Sequence, residues 1–420
     1  MKKISVVMLI LMIPFFAFAE ETALPEGVPE EGFSYSGYAR GGVAGNAQGE
    51  AVGSANSFTA NGAFNQARFG NEGNYSEHLL SYTGHGDSMW WSVNTRVAFD
   101  IPGFGEGWNN ISGMDYGTIL PEAYLRMGWM DSGISIWAGN RYNDSLAIDM
   151  YDYYINDLSN AHGTGIDGIS LGNSTWSLAY LMAYENSEDL DADGNPTVSR
   201  DGTIHSFVVR PHFDLGHGTL SFKAVPTIAT GFDGARYGAI LEASYAFNSF
   251  FGLTEGSTEL FGYYDFGTGV NDVKYNYYKA DAFRTGGGVQ AGAILNDRWS
   301  MQTTLMTEAR GNQEIDTDGT WTTFAVRPYY AVTESFGLMA EYDFDHFAFA
   351  NSSKNSIVNR VTVAPTFTLD TNSTVFSSPR IQFYMSYAVG DLDHSDAQDV
   401  FIDGTDDMGF KYGVNFTVSW

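Results

Sequence analysis

The chain of 420 residues contains no cysteine, which removes disulfides, thiol nucleophiles and thiolate metal sites together. Proline is scarce at 11 residues, against 48 glycines, so extended runs can continue with few interruptions. No segment, the apolar stretch of residues 6–16 included, offers the eighteen or more consecutive apolar residues that a spanning helix needs. Basic residues are few: 21 Lys and Arg stand against 50 Asp and Glu. The net charge of -29 argues against nucleic acid and against electrostatic attraction to anionic headgroups. Such a chain, once exported, either stays in water or crosses a bilayer as strands.

What is present selects strands. Met1 to Ala19 carries Lys2 and Lys3, an apolar stretch from Val6 to Phe16 and then Ala17-Phe18-Ala19, the layout of a signal peptide cut after Ala19. Residues 20–32 form an acidic leader with two prolines, so no strand is expected before Phe33. At the other end Phe410, Tyr412, Val414, Phe416, Val418 and Trp420 share one parity, and Gly409, Lys411, Gly413, Asn415, Thr417 and Ser419 share the other. A two-residue period that is aromatic at both ends and aliphatic between describes a strand with lipid on one side and water on the other. An aromatic content of 15% is enough to furnish girdles at both membrane interfaces.

Eighteen period-2 runs follow, starting near residues 33, 63, 88, 121, 133, 167, 175, 203, 217, 235, 257, 283, 297, 318, 335, 356, 379 and 406. Tight links such as Gly84 to Asp87, Asn173 to Ser174 and Asn296 follow even-numbered runs, and long links follow odd ones. Short periplasmic turns alternating with long outer loops give this rhythm. The expectation is one domain over residues 33–420, an all-β, 18-stranded antiparallel transmembrane barrel in the outer membrane of a Gram-negative-type bacterium, with an aqueous lumen. Acidic residues crowd Glu188 to Asp193, Glu314 to Asp318 and Asp391 to Asp407, which places the charge on exposed loops. Asp189 to Gly194 copies half of a calcium loop, but Arg200 stands where the closing carboxylate belongs, so neither a metal nor a cofactor is expected. The eight histidines have no nucleophile setting, and no catalytic residue is assigned.

One block goes beyond periodicity: Trp137-Ala138-Gly139-Asn140-Arg141-Tyr142, followed by Ile148 to Asp157. It resembles the maltoporin (LamB-type) family of sugar porins, in which a third loop folds into the barrel and narrows it. Gly37-Tyr38-Ala39-Arg40 at the first run, Arg68 to Glu72 at the second, Val326-Arg327-Pro328 and Ser378-Pro379 extend the likeness in the same order. The resemblance implies a homotrimer among outer-membrane lipid and lipopolysaccharide that passes oligosaccharides along an aromatic path. By motif, Tyr38, Tyr75, Tyr154 and Phe376 match aromatic or constriction positions, and Trp108 matches an aromatic that a neighbouring subunit contributes. Arg40, Arg68, Glu77 and Asp152 match the polar constriction. The chain departs from the family at Ser145, Ala147 and Pro121, where charges are usual, so Arg126 and Arg141, with Arg96 and Arg236, are candidate replacements. A saccharide-selective porin is the leading expectation, a general diffusion porin the nearest alternative, and a barrel hydrolase the third.

Overall fold

In the computed structural model, the described residues are 28–52, 58–65, 67–70, 74–101, 117–142, 145–151, 153–158, 161–190, 196–231, 236–270, 281–311, 318–350, 352–353, 355–369, 373–392, 401–402 and 405–420. The segments expected to be signal peptide and most of the expected leader lie outside them. Among the described residues there are 22 strands, four of them only two or three residues long: Ala51–Val52, Leu146–Ile148, Tyr153–Ile155 and Phe401–Ile402. The other eighteen build the wall: β1 (Gly32–Asn46), β2 (Asn74–His85), β3 (Met89–Ile101), β4 (Gly117–Trp129), β5 (Ser135–Asn140), β6 (His162–Leu171), β7 (Ser174–Leu190), β8 (Pro196–Asp214) and β9 (Thr219–Thr230). They continue as β10 (Tyr237–Phe247), β11 (Gly256–Gly267), β12 (Phe283–Ile294), β13 (Trp299–Gly311), β14 (Gly319–Ala331), β15 (Phe336–Phe349), β16 (Asn355–Thr368), β17 (Arg380–Gly390) and β18 (Thr405–Ser419).

Every strand pairs antiparallel with its sequence neighbours, and β1 pairs with both β2 and β18, from Tyr38 opposite Ser419 to Asn46 opposite Lys411. The sheet therefore closes and leaves no edge. In lipid that closure is obligatory, because each unpaired backbone group costs several kcal/mol.

Parity sorts the side chains as the sequence implies. On β16, Ile357, Val361, Val363 and Phe367 face outward, while Ser356, Arg360, Thr362 and Thr366 are buried inside. On β18, Tyr412, Phe416 and Trp420 are exposed outside and Lys411 and Asn415 are buried within. The inner wall pairs its charges: across strands Arg360 reaches Glu341 and Asp343, both at 2.7 Å, and Arg284 reaches Asp265 at 2.9 Å, while along β13 Arg310 reaches Glu308 at 2.6 Å.

One expected strand is displaced. The run near residue 63 is not a strand; β2 begins at Asn74, and residues 58–65 and 67–70 turn into the barrel as part of the first outer loop. Phe58, Ala60, Ala67 and Phe69 are buried there against the wall, so their apolar spacing reflects packing inside the lumen and not lipid on one side. The acidic runs also overlap strands: Glu188 and Asp189 belong to the C-terminal end of β7 and Asp406 and Asp407 to the start of β18. The connections after β7, β9 and β15 are short although they lie at the loop end, whereas those after β10 and β16 are long for turns.

An apolar core fills part of the lumen. Phe58, Met150, Tyr151, Tyr153 and Ile155 from the first and third loops pack on Phe261, Tyr263, Met306, Trp321 and Phe347 of β11 to β15. Water is displaced from that sector, and the open passage lies nearer β1 to β3.

Candidate functional site

The third loop explains the passage. Its strands Leu146–Ile148 and Tyr153–Ile155 pair so that Ala147 stands opposite Tyr154. Alternation then turns Leu146, Ile148, Tyr153 and Ile155 to the wall, where all four are buried, and leaves Tyr154 on the other face with 51% of its surface exposed. Polar contacts hold the hairpin in place. Tyr153 Oη donates to Glu308 at 2.6 Å, Arg310 Nη2 donates to Tyr153 Oη at 3.0 Å, and Asn156 bonds to Glu242, Lys223 and Arg284. Tyr151, wholly buried, hydrogen-bonds Thr323.

Opposite the loop, strand register gathers the polar residues. Tyr38 of β1 pairs with Glu77 of β2, and Arg40 pairs with Tyr75, so four inward side chains form one patch. On β3 and β4, Arg96 stands directly across from Glu122, beside a bulge between Arg96 and Ala98. Arg96 Nη1 donates to Glu77 at 2.8 Å and its Nε to Glu122 at 2.6 Å. Tyr142, at the start of the third loop, donates its hydroxyl to Glu77 at 3.0 Å and its amide to Glu122 at 3.0 Å. Tyr75 also donates to Glu77. Burial and the adjacent Glu77 carboxylate raise the Tyr142 phenol above its ordinary value, so it stays a neutral donor.

These residues line a cavity of ≈ 580 Å³ bounded by Tyr38, Arg40, Arg68, Tyr75, Glu77, Arg96, Tyr142, Ser145, Ala147, Tyr154 and Asp157. Three tyrosines in it carry a guanidinium over one ring face: Arg40 over Tyr75 at 5.5 Å, Arg68 over Tyr38 at 5.4 Å, and Arg96 over Tyr142 at 4.9 Å. The Tyr38 hydroxyl is buried with no hydrogen-bond partner among the described residues. A ring face at Tyr154 beside arginine donors and carboxylate acceptors suits a solute that is apolar on its faces and hydroxylated on its edges.

The sequence candidates divide into groups. Tyr38, Arg40, Tyr75, Glu77 and Tyr154 converge on the cavity, and Arg68 joins them from the first loop, where its backbone amide donates to Met150 at 2.8 Å. Arg96 lines it as well, but Arg126 and Arg141 do not. Arg126 bonds Ser135 at 2.9 Å over the Trp90 ring, and Arg141 pairs with Asp167 at 2.5 Å over Tyr124 and Trp137. Phe376 sits apart at the turn end, 46% exposed. Arg236 precedes β10, away from the cavity. Trp108 and Asp152 lie outside the described residues, as does most of the half calcium loop. Sequence reasoning gave no role to Tyr142 and Asp157, although both fall within or beside the block of strongest resemblance, and that proximity was the available signal.

A family model described as LamB porin matches residues 33–420. Among solved structures, OccAB1 of Acinetobacter baumannii is 10% identical with a TM-score of 0.53, covering 93% of this chain and 96% of that one. A BenF-like porin from Pseudomonas fluorescens Pf-5 is 9% identical with a TM-score of 0.51, covering 92% and 98%. At such identities the likeness extends to the barrel fold.

Proposed function

Since the chain belongs to the LamB porin family, an outer-membrane channel in which solute moves down its own gradient, we propose that it is selective for saccharides of the maltose and maltodextrin type. The observation that carries this reading is Tyr154, presented in the open on the third loop across from the Arg40, Arg68, Glu77 and Arg96 cluster. A sugar ring stacks its C–H face on the phenol while its hydroxyls trade hydrogen bonds along the polar side, so each step of transit replaces the water contacts it removes. Glu77 is held by three donors and Arg96 by two carboxylates, so these groups are fixed before solute arrives and lose little freedom on binding.

In the same reading the protein assembles as a homotrimer in outer-membrane lipid and lipopolysaccharide, with Trp108 reaching the neighbouring pore. No chemical step and no cofactor enter the proposal.

Ser145 and Ala147 favour a second reading, because both lie in the cavity wall as small side chains. A sieve with this scaffold needs no charge there. Titrating maltotriose into a planar bilayer carrying single channels separates the two readings. Selectivity gives current interruptions whose frequency saturates with concentration, and a sieve gives none.

A further inference from the structure

We infer that the long turn after β10 and the turn joining β8 to β9 together hold one phospholipid of the periplasmic leaflet, its ammonium-bearing headgroup on Asp214 and its chains against Tyr245 and Phe247. The inference rests on the barrel fold and is independent of the saccharide reading.

The connection after β10 is long for a turn, and its backbone is firmly held. Phe251 stands at φ 49°, a left-handed conformation uncommon for a bulky residue. Its amide donates to Thr258 Oγ1 at 2.9 Å, that hydroxyl donates to the Ser249 carbonyl at 2.8 Å, and the Phe250 amide donates to the Thr254 carbonyl at 2.9 Å. The turn so fixed leaves Phe251 exposed and Leu253 81% exposed, and Leu215 on the neighbouring turn is exposed as well. Apolar side chains gathered at the end of membrane-spanning strands mark contact with lipid.

Between the two turns lies a groove of ≈ 670 Å³. At ~30 Å³ per water it has room for about twenty waters, the scale of a headgroup with its glycerol and well above that of an ion. Its floor is Tyr245 and Phe247, whose rings lie 5.6 Å apart. Both share the outward parity of β10 with the exposed Tyr237 and Leu241, so the floor continues the surface that meets hydrocarbon. The rim is polar. Asp214 Oδ1 accepts the Gly216 amide at 2.7 Å, which fixes the carboxylate and leaves its second oxygen as an acceptor. His217 and Asn248 stand exposed on the same rim as N–H donors. A carboxylate beside two donors suits a zwitterion, with the ammonium on the first and the phosphate on the others. An anionic headgroup meets Asp214 as a like charge. A soluble zwitterion uses the rim alone, so the apolar floor selects a lipid.

The test is native mass spectrometry of the full-length channel, stripped of lipid in detergent. It is titrated with dioleoylphosphatidylethanolamine, with phosphatidylglycerol of the same chains, and with the chainless headgroup glycerophosphoethanolamine. The ethanolamine lipid is expected to bind at one tight site per chain, about three- to tenfold tighter than the glycerol lipid. Asp214→Asn, which keeps the acceptor for Gly216, and His217→Ala are each expected to weaken it about three- to tenfold, the equivalent of one hydrogen bond. Asp297→Asn, on the turn between β12 and β13 and outside the groove, is expected to stay within about twofold. Equal binding of the two lipids by the wild-type channel, no change in both groove variants, or a chainless headgroup that binds as tightly as the lipid overturns the inference.

Discussion

Replacing Arg96 with Met keeps much of the side-chain volume and deletes the cation between Glu77 and Glu122. In the intact protein Arg96 bonds these carboxylates at 2.8 and 2.6 Å, with side-chain exposures of 21% for Arg96, 16% for Glu77 and 5% for Glu122. Breaking a buried pair by removing one partner costs ~3–5 kcal/mol, because a charge is left stranded. Glu77 touches the cavity, so water takes up part of its loss. Glu122 does not, and among the described residues it retains the Tyr142 amide. The expected cost is therefore about 2–3 kcal/mol, below the fully buried figure because the pair is screened on one side. Arg96→Met with Glu122→Gln removes the stranded charge and is expected to cost less than the single change, a coupling of about 1.5 kcal/mol. Denaturant unfolding from lipid vesicles measures all four corners of this cycle. Single-channel current noise rises in parallel, because Tyr142 loses the guanidinium that lies over its ring and with it part of the third-loop anchorage. Additivity within ~0.5 kcal/mol would refute the claim that Arg96 and Glu122 act as one unit.

Further outcomes are specific. Tyr154→Ala is expected to weaken maltotriose block about three- to tenfold through loss of one stacking partner worth ~0.5–1.5 kcal/mol, read as the half-saturating sugar concentration. Arg360→Met strands Asp343, leaves Glu341 with Arg327 as its remaining cation among the described residues, and cuts the bond from Nη1 to the Ala67 carbonyl, so unfolding becomes easier by ~3–5 kcal/mol and protease reaches the first loop sooner. Leu305→Arg places a charge on the outward parity and is expected to cost ~2–4 kcal/mol when refolding into vesicles is measured, whereas Leu305→Phe is tolerated. Because the folded state raises the Tyr142 phenol, its contribution is complete below the unfolded value of about 10 and fades as pH rises through the folded value. The stability difference between wild type and Tyr142→Phe should therefore be flat to about pH 10 and shrink above it.

The barrel was legible because each wall strand has two solvents, and that fact writes itself into alternate residues. Tyr237, Leu241 and Tyr245 against Glu242 and Ser244 on β10 needed only parity to be assigned correctly. The rule weakens wherever the inner face is not wet. Phe261, Trp321 and Phe347 point inward yet are aromatic, because the first and third loops cover them. The same covering made the run starting near residue 63 look like a strand: Phe64 and Phe69 pack on apolar neighbours inside the lumen, and local pattern cannot tell lipid from an infolded loop. Tyr38, Arg40, Tyr75 and Glu77 were singled out by the family resemblance, and parity added that each pair, two residues apart on its strand, shares a face; the register of β1 on β2 then brings the pairs together. Arg96 differs. Its juxtaposition with Glu77 and Glu122 depends on the register between β2, β3 and β4 and on the bulge beside it, which no single strand encodes. For the same reason Arg126 and Arg141 looked equivalent to Arg96 in the sequence but are engaged by Ser135 and Asp167 in the wall.

The central claim, that the constriction binds saccharide instead of merely limiting its size, is tested most directly by initial swelling rates of liposomes containing the purified protein across a series from maltose to maltohexaose, with non-sugar solutes of matched mass. The account predicts rates for the maltooligosaccharides that exceed those of the matched solutes and saturate with concentration. Rates that fall along one smooth curve with solute mass, sugars included, would contradict it.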